Sequence, residues 1–312
     1  MTARGPAFAA GLRDRVRGEV LESEPLARYS TYRIGGPATL LLPRGPEDVG
    51  QALAFAAEEG VRWFALGLGS NLLLPDEGLD ALVVRAGKGL DAMQELGAGR
   101  WRLGAGVPQP LAARKTAECG LAGLHRFVGV PGSVGGGVYM NAGCHGGEWA
   151  GIIESVTVVD TRGSGRVLPR ASVPFAYRRS GLSGHIVLEA IVQLETADPA
   201  ALQAEVAELF RWRQEGTPFN QPCCGSVFKN PGGPRTAGQL LEAAGLKGER
   251  VGGAEISPMH ANYFVNKGGA TAADVRALIA RARRVVLEQF GVHLETEVQL
   301  VRPDGTFEAS HG

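Results

Sequence analysis

The sequence predicts an α+β fold in two domains, and three observations predict it. Two strand-then-helix units fall within the first 110 residues, a series of strand-like segments follows, and from residue 198 onward helices dominate until a closing strand. At 312 residues the chain exceeds the usual size of one compact domain. The change from strand to helix places the boundary near residue 196, giving domains 1–196 and 197–312.

Residues 1–30 read as a lead-in. Ala38–Leu42 is a short buried strand ended by Pro43. Pro46 opens a helix with Glu47 and Asp48 in its first turn, where the helix dipole favours acid. Val49, Leu53 and Ala56 keep helical spacing, and Gly60 stops it. Trp63–Leu66, Ala81–Val84 and Trp101–Val107 are strands, and Pro108 and Pro110 begin the next helix. Ser155–Asp160, Gly165–Leu168 and His185–Leu194 alternate or run apolar as strands do. Asp198–Gln214 is an amphipathic helix with Leu202, Val206, Leu209 and Phe210 on one face. Residues 216–235 read as a loop rich in Pro, Gly, Asn and Cys. Thr236–Ala244 and Thr271–Phe290 are helices, the second N-capped by Thr271 and ended by Gly291. Val292–Val301 is a terminal strand.

Composition narrows the function classes. Lys+Arg and Asp+Glu both number 32, so no whole-molecule field draws nucleic acid or an anionic membrane. No stretch reaches the roughly 18 apolar residues that span a bilayer. Met1–Leu12 lacks the apolar run of a signal peptide. Cys119, Cys144, Cys223 and Cys224 form no C-x-x-C pair and read as reduced thiols of a cytoplasmic protein. His125, His145, His185, His260, His293 and His311 are scattered without metal-ligand spacing, so no metal site is expected.

Two glycine-rich segments stand out. In Leu66–Leu72, Gly67 and Gly69 free the backbone where the chain leaves a strand, and Ser70 and Asn71 add side-chain donors. The segment reads as a diphosphate cradle or as a plain tight turn. It lacks the third glycine of a Rossmann fingerprint and the Gly-Lys-Ser/Thr of a Walker loop. In Gly129–Gly137, Pro131, Gly132, Ser133, Gly135 and Gly136 bring backbone close to a partner. That partner is a ligand anion at the start of a helix, or a neighbouring element in close packing.

Three further segments carry polar groups. Cys224–Pro231 groups Ser226, Lys229 and Asn230, with no histidine beside Ser226 to build a hydrolase triad. Tyr177-Arg178-Arg179-Ser180 offers paired guanidiniums, suited to a carboxylate or phosphate or simply solvated. On the last strand Glu295 and Glu297 share one face by period 2. His260, in Met259–Tyr263, reads as structural unless a substrate lies beside it.

These segments, in order, resemble the UDP-N-acetylenolpyruvoylglucosamine reductase family. The residues carrying the resemblance are Ser30–Ala38, Gly67–Leu74, Val130–Gly143, Tyr177–Ser180, Cys224–Pro231, Ala237–Leu246, Gly252–Asn266 and Leu294–Val298. The short stretch between Tyr177–Ser180 and Ser226 resembles the second subclass, without the substrate-covering loop of the first. The resemblance implies a vanillyl-alcohol-oxidase/PCMH-like FAD-binding domain over 1–196, of two α/β subdomains split near 90. It implies a C-terminal α/β substrate-binding domain over 197–312. Gly67, Gly69, Ser70, Asn71, Pro131, Gly132, Ser133, Gly135 and Gly136 would hold FAD non-covalently. Arg178, Ser226 and Glu297 would be catalytic, and Tyr177, Lys229, Asn230 and His260 would contact substrate. The implied reaction is NADPH-dependent reduction of an enolpyruvyl nucleotide-sugar in peptidoglycan precursor synthesis, by a cytoplasmic monomer with no nucleic-acid or membrane partner. The alternative is another FAD-dependent oxidase or dehydrogenase of the same fold, tethering FAD through His125, Cys144 or His145. A nucleotide-sugar binding protein without turnover is the non-enzymatic reading.

Overall fold

The computed structural model describes residues 5–310, so His311 and the first four residues of the Met1–Leu12 segment lie outside it. The chain divides into two compact units. One comprises Met1–Ser23, Ala38–Leu68 and Asp80–Arg213; the other comprises Glu24–Pro37, Gly69–Leu79 and Gln214–Gly312.

In the first unit, residues expected as a lead-in form helix α1 (Pro6–Arg13) and a strand, Glu19–Pro25. The stripe Phe8, Ala9 and Leu12 is fully buried. Phe8 stacks on Phe55 of helix α2 (Pro46–Glu58), with ring centroids 5.3 Å apart. Each such ring contributes roughly 2–3 kcal/mol by leaving water, which is why this segment folds rather than trails. Helix α2 ends as expected, with Gly60 at φ +64°. Its Asp48 does more than meet a dipole. The carboxylate is buried and accepts from the backbone N–H of Arg17 (2.8 Å) and of Arg44 (2.7 Å).

A four-stranded sheet runs in the order Glu19–Pro25, Pro37–Leu42, Leu82–Arg85, Trp63–Leu66. The last three strands are mutually parallel, with Leu41 opposite Val84 and Phe64 opposite Val83. A five-stranded antiparallel sheet follows, ordered Gly165–Pro169, Ile153–Asp160, His185–Gln193, Arg100–Gly104, Met93–Gly97. Helices α3 (Gln109–Glu118) and α4 (Val134–Tyr139) belong to the same unit. Trp149 is fully buried, and its indole N–H donates to Gln109 Oε1 at 2.7 Å.

The boundary expected at 196 is not where the units divide. Helix α5 (Pro199–Gly216) lies in the first unit up to Arg213, whose Nε donates to the Gly129 carbonyl at 3.2 Å. Leu202 is buried and Val206 and Leu209 are half-buried, whereas Phe210 and Trp212 face solvent. Two early segments belong instead to the second unit. Asn266 Nδ2 donates to the Tyr32 carbonyl (3.0 Å) and Gly36 N–H to the Pro75 carbonyl (2.9 Å).

The second unit holds an antiparallel sheet ordered Cys223–Ser226, Tyr263–Asn266, Ala254–Ile256, Arg250–Val251. Its first strand lies in the segment expected as a loop. Glycine and a register shift between Cys223 and Ser226 hide the alternation that would have marked it. Helices α6 (Ala237–Ala243) and α7 (Ala272–Phe290) complete the unit. Thr271 caps α7 through Asp274 N–H at 3.1 Å, and Gly291 ends it at φ +67°. The two N–H groups before Asp274 also have partners. Ala272 and Ala273 donate to the Asp76 carboxylate at 2.9 and 3.3 Å. The terminal strand expected over Val292–Val301 contracts to Gln299–Leu300, paired parallel with Leu72–Leu73, and an isolated bridge joins Thr296 to Phe228. Period 2 persists without a continuous ladder. Leu294, Thr296, Val298 and Leu300 are buried, while Glu295 and Glu297 are half-exposed.

Candidate active site

The second glycine run forms the start of α4 in the first unit. Ser133 is the N-cap, its Oγ accepting from Gly136 N–H at 3.5 Å. Val134 N–H donates to the Val107 carbonyl (2.8 Å) and Gly135 N–H to that of Ala105 (2.9 Å). The first three helical N–H groups are therefore bonded within the protein rather than turned to an anion. Close packing accounts for two of the glycines. A Cβ on Gly135 would lie 2.8 Å from Ala105 Cβ, and one on Gly137 only 2.4 Å from Gln109 Oε1 and Trp149 Nε1. Gly136 differs, being exposed with nothing nearer its absent Cβ than Ser133 Oγ at 3.7 Å. Gly67 lies against the same serine, where a Cβ would come within 2.5 Å of Ser133 Oγ.

Gly69, Ser70 and Asn71 belong to the second unit. Gly69 adopts φ +62°, and a Cβ there would strike the Tyr29 carbonyl (2.6 Å) and Ser30 Cα (2.7 Å). Asn71 Nδ2 donates to the Glu297 carbonyl at 3.1 Å, and the Asn71 carbonyl accepts from Gln299 N–H at 2.9 Å.

Arg178 lies in the first unit at φ +55°, a conformation that costs a side-chain-bearing residue about 1 kcal/mol. Its Nη2 donates to the Gly143 carbonyl at 3.1 Å, and its guanidinium stacks 4.8 Å from the ring centre of the exposed Tyr177. The head is thereby fixed from two sides. Burial pushes the neighbouring Cys144 thiol up, against the opposing pull of the Arg213 and Arg178 guanidiniums.

Ser226 and Glu297 come together in the second unit. The Val227 carbonyl accepts from both Glu297 N–H (2.8 Å) and Val298 N–H (3.3 Å), and Lys229 N–H donates to the Glu295 carbonyl (2.9 Å). The sequence reading missed Asn262, a buried amide that closes the segment after Ser226. Its Oδ1 accepts from Phe228 N–H (2.9 Å), its Nδ2 donates to the Phe228 carbonyl (2.8 Å), and its own carbonyl accepts from Val227 N–H (2.8 Å). An asparagine set inside the apolar run Ala261–Val265 was the available signal.

The remaining expected substrate contacts have protein partners. Lys229 Nζ pairs with Glu295 Oε2 at 3.2 Å. Asn230 Oδ1 accepts from Ala237 N–H at the start of α6 (3.1 Å). His260 Nδ1 accepts from Asn262 N–H (3.1 Å), and its ring meets Tyr263 edge-on at 5.0 Å. The described residues hold no cluster of His, Cys, Asp and Glu able to bind a metal, and the four cysteines are free thiols.

Residues 37–168 match the family model described as an FAD binding domain, which makes the class an FAD-dependent α+β protein. Residues 217–301 match the model described as the UDP-N-acetylenolpyruvoylglucosamine reductase C-terminal domain. The chain is 42% identical over 296 residues to the reductase of that name from Caulobacter sp. (strain K31), covering 92% of this chain and 96% of the relative. The crystal structure of the Thermus caldophilus reductase matches with a TM-score of 0.79 at 36% identity, over 91% of this chain and 99% of that one. The chain belongs to the UDP-N-acetylenolpyruvoylglucosamine reductase family. A 6-hydroxy-D-nicotine oxidase from Arthrobacter nicotinovorans shares the fold alone, with a TM-score of 0.60 at 14% identity over 89% of this chain and 88% of that one. The residues present fit FAD: Gly136 is exposed with open space where a side chain would stand, and Gly67 packs closely on the Ser133 that begins the same helix.

Proposed function

We propose that this chain reduces UDP-N-acetylglucosamine enolpyruvate to UDP-N-acetylmuramate with NADPH, in peptidoglycan precursor synthesis. The observation that carries the reading is the family match over 92% of the chain. Bound FAD supplies a two-electron carrier between the nicotinamide and the substrate. Gly67, Gly69, Ser70 and Asn71, with Pro131, Gly132, Ser133 and Gly136, hold it, while Gly135 serves by packing the start of α4 against Ala105. The cofactor is held non-covalently, so denaturation should release it as free yellow FAD.

As hydride adds at C3 of the enolpyruvyl group, negative charge develops at C2 and spreads into the carboxylate. Arg178, fixed on Gly143 and Tyr177, supplies preorganised positive charge there. Ser226 gives a proton to C2, and Glu297 assists its movement. Tyr177, Lys229, Asn230 and His260 line the substrate. Lys229 acts together with Glu295, so the pair presents a dipole rather than a lone cation. The enzyme works in the cytoplasm as a monomer, without a nucleic-acid or membrane partner; among the described residues no helix is long and apolar enough to cross a membrane.

The test is the absorbance spectrum of purified protein under anaerobic conditions. A flavin band bleached by NADPH and restored by the enolpyruvyl sugar is expected. A colourless protein, or a bleached band that the sugar leaves unchanged, overturns the proposal.

A further inference from the structure

Arg178 occupies a position where glycine would sit without strain. Ala176 N–H donates to the Arg179 carbonyl at 2.8 Å and Arg179 N–H to the Ala176 carbonyl at 3.0 Å, closing a tight turn with Tyr177 and Arg178 at its tip. Arg178 is third in that turn, at φ +55°, the place where turns of this kind favour glycine or asparagine. An arginine persists there only if the surroundings hold the turn from outside.

Residues just past α4 do so. Asn141 is fully buried, at φ +43°. Its Nδ2 donates to the Ala176 carbonyl at 3.0 Å and to Glu148 Oε2 at 3.1 Å. Its Oδ1 accepts from Ala150 N–H at 2.9 Å. On the far side of the turn, Ser180 Oγ donates to the Tyr139 carbonyl at 2.6 Å. The guanidinium itself reaches the Gly143 carbonyl. The segment 139–143 therefore grips 176–180 at three points. The central one is an amide whose two donors and one acceptor are all engaged. The same short helix begins at Ser133, against Gly67. One element thus links that glycine contact to the arginine turn.

We infer that Asn141 is a positioning residue for the reaction, setting the guanidinium of Arg178 by clamping the Ala176 carbonyl. The inference rests on the reading of Arg178 as the counter-charge to the enolpyruvyl carboxylate. Asn141 touches no substrate. Its loss should leave the NADPH half-reaction intact and slow only the half-reaction that needs Arg178.

Two variants isolate the clamp. Asn141→Gly keeps the left-handed backbone and removes the amide. Asn141→Asp keeps size and the acceptor for Ala150 and, once ionised at the upper end of the pH range assayed, offers no donor to Ala176. Anaerobic stopped-flow should show FAD reduction by NADPH within about twofold of the parent in both. The limiting rate of reoxidation by UDP-N-acetylglucosamine enolpyruvate should fall roughly 30-fold or more. The sugar concentration giving half that rate should move less than about threefold, because developing charge rather than ground-state binding is affected. In an Arg178→Ala background, Asn141→Gly should add less than about threefold. The same loss in both backgrounds, or an Asn141→Asp protein that reoxidises at the parental rate, overturns the inference. If Asn141→Gly does not retain FAD, the Asp variant decides. A parental reoxidation rate in Arg178→Ala alone would remove Arg178 from the reaction, and Asn141 with it. That result is distinct from an arginine that matters without Asn141.

Discussion

The backbone N–H of Glu297 donates to the Val227 carbonyl at 2.8 Å, tying the acid to the residue that follows Ser226. That carbonyl also takes Val298 N–H, so the pairing is irregular. Val227 and Val298 turn into the core, while Ser226 and Glu297 stay half-exposed. A hydroxyl and a carboxylate some 70 residues apart in sequence are thereby carried on bonded backbone. Asn71 secures the same acid from the other side through its carbonyl.

The first prediction concerns that hydroxyl. Ser226→Ala should retain FAD and its reduction by NADPH, yet reoxidation by the enolpyruvyl sugar should slow by about 10³-fold, the scale of a lost general acid. Stopped-flow absorbance of the two half-reactions checks it. Unchanged reoxidation would remove Ser226 from the mechanism.

The second concerns the start of α7, whose first three N–H groups bond to Asp76 and Thr271. Thr271→Ala should cost about 1 kcal/mol and Asp76→Ala about 1–2 kcal/mol. Hydrogen bonds from the Thr271 backbone, then those from Gly253 and the Thr271 hydroxyl, hold the Asp274 carboxyl below its ordinary value of 3.8. A depressed carboxylate stabilises the fold above its unfolded value and loses that contribution as pH falls through the folded one. The cap should therefore weaken below about pH 4. Urea unfolding of both variants at pH 7 measures the caps. An Asp76→Ala protein as stable as its parent would rule out that anchor.

The third concerns alkaline pH. Burial first, then the charge of Cys223, pushes the Cys224 thiol well above its ordinary value of 9.0. Burial first, then the adjoining cysteines, raises the Tyr32 hydroxyl well above 10.0. Both groups bind their protons more tightly when folded. Their contribution is complete below the unfolded values and is lost as pH rises through the folded ones, beginning near pH 9. Each adds up to about 1.4 kcal/mol per pH unit to the decline. Cys224→Ala should lower Tm at pH 7 through lost packing but flatten its fall between pH 9 and pH 10.5. Parallel Tm–pH curves for the two proteins would show that the thiol plays no part.

Much of the local structure was legible in the sequence because its causes are local. Pro46, Thr271, Gly60 and Gly291 mark helix ends by fixed dihedrals and side-chain caps that need no distant partner. Period 2 around Glu295 and Glu297 foretold which side chains stay out of the core, even where the continuous strand did not form. The ordered motifs also carried the family. The first helix left no such mark in the sequence, because Phe8 and Leu12 gain order only from packing, as Phe8 does against Phe55.

What the chain alone determined is its inventory: where helices begin and stop, which faces are apolar, and which polar residue types stand beside glycine. Tertiary structure decided what those groups do. It showed Gly135 and Gly137 to be packing glycines, engaged Lys229 with Glu295, sent Glu24–Pro37 and Gly69–Leu79 to the second unit, and set Asn141 behind Arg178. The physical reason is range. Caps and periodicities act within a turn or two of chain, whereas a buried amide chooses its partner among carbonyls that only the completed fold brings within 3 Å.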